Sequence, residues 1–265
     1  MKFHLLTIFP EFFRGPLENG VVARGVAAGL VDVAIHNLRD WTYDVHKSVD
    51  DRPFGGGEGM VMKPQPLFEA VEAILPERDP ARQRVVLLSA HGPLFTQQTA
   101  RRLLEFKEVL LICGRYEGVD ERVSEHLADE EISIGNFVLS GGELGAAVIV
   151  DAVSRLIPGV LGNQDSSLHE SFSETEEEGG EFLLDCPHYT RPAVFRGWSA
   201  PEVLLGGNHK AIREWRRNAA LEKMRRLRPD LIREFEADRE SARESLKGTE
   251  SGHGEPHSAE DHQQR

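Results

Sequence analysis

The chain has 265 residues, 40% of them hydrophobic and 28% charged, with a formal net charge of −13. That is globular material of about one and a half to two domains. No run approaches the roughly 18 apolar residues of a membrane helix, and the acidity argues against a generic nucleic-acid coat.

Met1–Pro10 lacks the long apolar region and small-residue cleavage site of a leader peptide, so none is expected. Phe3–Phe9, Val31–Leu38, Arg84–Ser89 and Glu108–Cys113 read as strands rich in Val, Ile and Leu. Leu17–Ala28, Leu67–Ile74, Thr96–Phe106 and Glu143–Leu156 read as helices between and after them. Continuous apolar strands alternating with helices predict an α/β fold with a parallel sheet covered on both faces, over residues 1–160. Residues 161–183 are poor in large apolar side chains and rich in acids, and read as a flexible linker. Residues 184–240 read as a small basic helical domain, with a helix over Lys210–Leu227 and a second starting at Pro229-Asp230. Residues 241–265 have the composition of a disordered tail.

The net charge hides an asymmetry. Arg191 to Arg233 carries eleven Lys or Arg against four acids, a net of +7, whereas Asp165 to Asp185 carries eight acids and no Lys or Arg. A basic module on an acidic chain can still hold a polyanion locally.

Four segments stand out for chemistry. Asp50 to Met60 is dense in glycine, yet no Gly-Lys-Ser/Thr follows, which excludes a P-loop, and neither spacing nor preceding strand fits a dinucleotide fingerprint. That also removes a nicotinamide-dependent oxidoreductase. Leu87–Gly92, Leu111–Arg122 and Ile132–Glu143 each form or adjoin a loop, the first two at carboxyl ends of strands and the third opening a helix. Together such loops form one ligand crevice of an α/β sheet, although Gly141-Gly142 alone would serve equally as a tight helix entry. His91 reads as a bystander, and Cys113 as a small buried hydrophobe. Cys113 and Cys186 form no Cys-x-x-Cys pair and no metal set, which points to a reducing, cytoplasmic setting. Arg155, near a helix end, and the linker acids Asp165 and Glu170 could stabilise an anion and take a proton, or be an ion-paired arginine and solvated acids.

Asp51–Gly57, Cys113–Gly118, Ser133–Glu143, Val153–Arg155, Ile157–Gly162, Leu184–Pro192 and Leu204–His209 resemble, in order, the bacterial tRNA (guanine-N1)-methyltransferases, the TrmD family of the SPOUT class. The resemblance spans Met1 to about Ile232. It implies a deep trefoil knot in the α/β domain, an exception to the rule against knotted chains. It also implies a homodimer whose active site uses both subunits. The methyl group would pass from S-adenosylmethionine to N1 of guanosine 37 of tRNA, next to the anticodon, where another guanosine precedes it.

Carried over residue by residue, the resemblance places Gly114, Ile134, Gly135, Asn136, Phe137, Val138 and Leu139 in the cofactor-binding stretches. Ser89, Tyr116, Gly141 and Gly142 lie in loops around them, and Glu117 near the donor's amino end or an associated magnesium ion. Arg155 matches the catalytic arginine. The proton acceptor is Glu170, standing before Ser171-Phe172 where the family usually has aspartate, with Asp165 as fallback. Magnesium enters only through the family; the chemistry itself asks for no metal. Asn136 replaces a frequent aspartate and Gly145 a frequent proline, and Ser173–Phe182 is a longer, acidic insert. A binding protein that kept the fold and lost turnover through the change at Glu170 is the competing reading. Trp198 and Trp215 are expected in the core.

Overall fold

The computed structural model describes residues 1–162, 170–172 and 184–233. They fall into two compact units that divide between positions 164 and 165.

In the first unit the chain runs β1 (Lys2–Thr7), a 3-10 turn (Pro10–Phe13), α1 (Gly20–Ala27), β2 (Asp32–Asn37), a second 3-10 turn (Leu38–Trp41), β3 (Asp50–Asp51) and β4 (Val61–Met62). It continues through α2 (Pro64–Ile74), β5 (Gln83–Leu88), α3 (Gln97–Leu103), β6 (Glu108–Cys113), α4 (Glu121–His126), β7 (Glu130–Ile132) and α5 (Glu143–Ser154). Five strands make one wholly parallel sheet in the order β2-β1-β6-β5-β7.

Why the strands read as apolar runs is visible in their packing. Alternate residues of each central strand enter different cores. Phe3 and Leu5 of β1, Val86 and Leu88 of β5, and Val109, Leu111 and Cys113 of β6 share one with Ala146, Ile149 and Val153 of α5. Leu6, Val85, Leu87, Leu110 and Ile112 face the opposite way, onto Leu67 and Val71 of α2 and Val123 of α4. Each such side chain contributes about 1.5–3 kcal/mol of burial.

Local chemistry sets the helix starts. Pro64 opens α2 three residues before the expected start, a position where its missing N–H costs nothing. The Thr96 hydroxyl accepts from the Thr99 N–H at 3.2 Å to cap α3, and Asp120 caps α4 by accepting from the Arg122 N–H.

The short strand β7 is acidic and was not expected. Its Glu130 accepts from Arg84 Nε at 2.9 Å and from both terminal nitrogens of Arg102. Those guanidiniums hold the carboxyl below its usual range although burial alone would raise it. β3 and β4 form a two-residue antiparallel ladder beneath the glycine-dense loop. In that loop Gly55, Gly56 and Gly59 take left-handed φ values of 83°, 79° and 84°, so glycine serves turn geometry there.

In the second unit β8 (Val194–Phe195) and β9 (Trp198–Ser199) form a small hairpin, followed by α6 (Glu202–Leu205) and α7 (His209–Leu227). Asn208 caps α7 by accepting from the Ala211 N–H at 3.2 Å. Residues 229–233 are helical again, as Pro229-Asp230 suggested. Trp198 departs from expectation: at 71% exposed it lies on the hairpin surface, because no layer among the described residues covers the two-residue ladder. Trp215 is partly buried, with the edge of its ring against Tyr189. The linker positions 163–169 and 173–183, including Asp165 and the acidic insert, lie outside the described residues, as do the end of the basic domain from 234 and the tail 241–265.

Candidate functional site

The carboxyl ends of β5, β6 and β7 are adjacent in the sheet, so the chain leaves it three times at one edge: at Ser89, at Gly114 and at Ser133. The loops that follow enclose a cleft of about 330 Å³. Its wall contains Ser89, Gly114, Tyr116, Glu117, Ile134, Gly135, Phe137, Val138, Leu139, Gly141 and Gly142. Those are eleven of the twelve residues that the sequence offered for a cofactor; Asn136 is not part of the wall.

Backbone interlocks hold the three loops together. The Gly142 N–H donates to the Gly114 carbonyl at 2.9 Å, and Arg115 and Gly141 pair as an antiparallel bridge. The Ser89 N–H donates to the Ile132 carbonyl at 3.1 Å, and the Phe95 N–H to the Ser133 carbonyl at 2.7 Å. The approach at Gly142 leaves no room for a side chain: a Cβ there would lie 2.9 Å from Cys113 Cα and 2.9 Å from Leu88 Cβ. Glycine at this position is thus required by close packing of two loops and not only by a helix entry. Tyr116 sits in the left-handed region at φ 62° and is half exposed at the rim.

The glycine-dense hairpin adjoins the second loop from outside. The Glu117 N–H donates to the Met60 carbonyl at 3.0 Å, and Met62 bridges to Val119. A Cβ on Gly59 would meet the Glu117 carboxylate. The hairpin is therefore a buttress that meets the Glu117 carboxylate, and Glu117 is also part of the cleft wall.

Charge is managed behind the wall. Glu143, 1% exposed, accepts from Thr7 Oγ1 at 2.8 Å and from Arg115 Nε at 3.0–3.1 Å, and pairs with Arg115 Nη2 at 2.9 Å. Arg115 also donates to the Ser140 carbonyl at 3.1 Å, and its guanidinium lies 4.7 Å from the Phe9 ring centre. One guanidinium thus ties the second loop to the third and to the start of α5. Arg115, Ser140 and Glu143 lie within motifs of the sequence that by themselves assign them no role. Their partnership was not readable, since 28 positions separate the arginine from its acid. Cys113 is fully buried, and burial, with Glu143 nearby, pushes its thiol far above the usual range, which fits a packing role. His91 lines the cleft, with its N–H donating to Ser89 Oγ at 3.1 Å.

Arg155 is the residue that ends α5, its N–H donating to the Asp151 carbonyl at 3.2 Å. A cation there is favoured by the negative end of the helix. Glu170 is partly buried in the second unit, next to Ser171, whose hydroxyl accepts from the Asp185 N–H at 3.0 Å. The proposed acid and arginine thus belong to different compact units. Among the described residues, potential metal-ligand atoms converge in threes at Asp185, Cys186 and His188, in the second unit, and not at the cleft. There His188 Nε2 and Asp185 Oδ2 are 2.7 Å apart, already an ion pair or hydrogen bond.

The second unit presents α7, whose seven Lys or Arg stand against Glu214 and Glu222. Only Ala220 and Met224 of this helix are buried.

A family model described as tRNA (Guanine-1)-methyltransferase TrmD matches residues 1–234. The chain is 56% identical to a tRNA (guanine-N(1)-)-methyltransferase of Koribacter versatilis over 251 residues, covering 91% of this chain and 95% of that protein. It is 53% identical to a protein of the same name from Dehalococcoides mccartyi, covering 93% and 97%. A third, from Geobacter metallireducens, is 50% identical, covering 92% and 96%.

Proposed function

Because the chain belongs to the tRNA (guanine-1)-methyltransferase family, we propose that it transfers a methyl group from S-adenosylmethionine to N1 of guanosine 37 in tRNA. The observation that carries this reading is the glycine-walled cleft at the carboxyl ends of β5, β6 and β7. Bare backbone at Gly114 and Gly142 suits an adenosyl group, whose adenine edge is read by N–H and C=O groups. The donor supplies an activated methyl on a cationic sulfur that is already a good leaving group.

The protein's work is then on the acceptor. Guanine N1 carries a proton at neutral pH and is a poor nucleophile until it is removed. The Glu170 carboxylate takes that proton, and Arg155 donates to O6, where negative charge collects as N1 is deprotonated. The N1–C bond forms as the S–C bond breaks, with the electron pair leaving on sulfur. A positioned base supplies about 10²–10⁴ in rate, and a donor to the developing anion about 3–4 kcal/mol. Asp165 is the second candidate for the base. Magnesium, implied with the family, finds no three converging ligands at the cleft among the described residues, and this chemistry does not depend on it.

The same reading extends to architecture. The α/β domain carries the family's trefoil knot, and the protein is a cytoplasmic homodimer whose site is completed across subunits. Apolar Leu144 and Val148 on the outer side of α5, 49% and 47% exposed, support a partner on that face. The basic residues of 184–240 hold the phosphates of the anticodon stem-loop. No helix among the described residues is long and apolar enough to cross a membrane.

The test is transfer of labelled methyl to transcripts with guanosine at 36 and 37, using the wild type and Glu170→Gln, with adenosine at 37 as control. Activity lost in both the variant and the control supports the reaction and the base. Activity that survives the substitution moves the base to Asp165, and donor binding without turnover by the wild type favours a binding protein.

A further inference from the structure

Among the described residues Glu143 is the only carboxylate in the buried interior, and the methyl-transfer chemistry above does not use it. Its partner Arg115 lines the cleft, whereas Glu143 lies behind the wall and is not part of it. The cleft therefore has a cation in its wall and that cation's neutraliser behind. A buried pair of this kind is costly to assemble and adds little stability over an apolar substitute. Its presence beside a ligand site calls for a role in the ligand's electrostatics.

The ligand placed there by the proposed function, on which this inference rests, changes charge during the reaction. S-adenosylmethionine carries a sulfonium, and S-adenosylhomocysteine, left after transfer, has a neutral thioether. A guanidinium without its acid would repel the first and be nearly indifferent to the second. We propose that Glu143 is a specificity-determining, positioning residue: by neutralising Arg115 it lets the cleft hold the cationic donor in preference to the neutral product. Thr7 holds the carboxylate in register through its hydroxyl, which in turn accepts from the Phe9 N–H at 2.9 Å. The remaining ionisable groups of the wall are His91, Tyr116, Glu117, Glu121 and Glu131, and Glu131 is engaged by Ser124.

Dissociation constants for both compounds, measured by calorimetry on the full chain, test this. Glu143→Gln keeps the shape and exposes the Arg115 charge. It should weaken the donor about tenfold, the size expected of one unit charge roughly 10 Å away at an effective dielectric near 20. The product should weaken less than about threefold, and added salt should narrow the gap. The double variant Arg115→Met with Glu143→Gln should return the donor-to-product ratio to the wild-type value, and Thr7→Val should leave that ratio unchanged. Parallel weakening of both compounds would assign Glu143 a purely structural role and overturn the proposal, as would no change in either.

If Glu143→Gln does not fold, Arg115→Met at about pH 8.5, well above the ordinary carboxylate range, carries the test in the opposite direction. The donor should then gain on the product by several-fold, and an unchanged ratio overturns the proposal. Wild-type protein that binds neither compound overturns the proposed function as well. Failure of the selectivity proposal alone leaves wild-type binding and turnover intact.

Discussion

The two units handle charge in opposite ways. In the α/β unit the carboxylates drawn into the fold are paired: Glu143 with Arg115, and Glu130 with Arg84 and Arg102. In the second unit α7 carries seven cations on a helix that buries only Ala220 and Met224. The first arrangement fixes loops to within a hydrogen bond and asks little of the solvent. The second leaves flexible cations in water, where they meet a polyanion by displacing counterions. On the proposed function, the first arrangement suits a small ligand held in one pose, and the second a long charged surface. Ligand binding to the first should therefore be sensitive to shape and insensitive to salt, and binding through the second the reverse.

The largest expected effect lies where the proposed reaction needs a fixed donor. Arg155→Ala should lower the rate of methyl transfer by about 10²–10³ while leaving calorimetric affinity for S-adenosylmethionine unchanged. An equal loss in both would make Arg155 a ligand-binding residue instead. Next in size is the packing at Gly142, where an added Cβ would press on Cys113 Cα and Leu88 Cβ at 2.9 Å. Gly142→Ala should weaken the donor by about tenfold and cost about 1–3 kcal/mol of stability. If affinity is unaffected, the loops are less tightly set than the contrast requires.

A smaller effect separates the units by salt. Arg213 and Arg225 are exposed on α7. Substituting either by Ala should weaken tRNA by a few-fold at low salt and reduce the slope of log affinity against log salt by about one. Donor affinity should not move. A slope that stays the same in both variants would take α7 off the RNA path.

Which of these features could be read from the chain follows the same division. β5 and β6 were legible because both their faces are buried from residue 85 and residue 109 onward, so 85–88 and 109–113 are apolar throughout. β7 was not, because Glu130 and Glu131 look like solvent until Arg84, Arg102 and Ser124 arrive from elsewhere in the chain. The cleft loops were legible as glycines at strand ends, since close backbone approach leaves a mark in sequence. The Arg115–Glu143 pair left none, since its adjacency exists only once β6 lies beside the start of α5. Trp198 misled because an aromatic in a two-residue hairpin looks like any buried one; it is 71% exposed because no layer among the described residues covers it. Composition marked the basic unit, because an excess of Lys and Arg is visible without any geometry.

The smallest effect tests whether internal charge makes the α/β unit selectively acid-sensitive. His4 and His36 stack with ring centres 5.2 Å apart and share a hydrogen bond of 3.0 Å, with Glu108 on the far nitrogen of His4 and Lys2 and Asp32 nearby. Burial first, then His4 and Lys2, lowers the His36 pKa from 6.5 to about 4. The folded state thus favours the neutral ring, so this contribution is intact above about pH 6.5 and is lost as pH falls toward 4. Between about pH 6.5 and 5 Glu108, whose own pKa is lowered by its bond to His4, stays ionised and does not confuse the reading. Over that interval the wild-type melting temperature should fall by a few degrees, and His36→Gln should flatten the fall. Hydrogen exchange should show the loss in β1 and β2 before α7, which belongs to the other unit. If protection in α7 declines first, acid is acting on the second unit, and burial of charge does not distinguish the two.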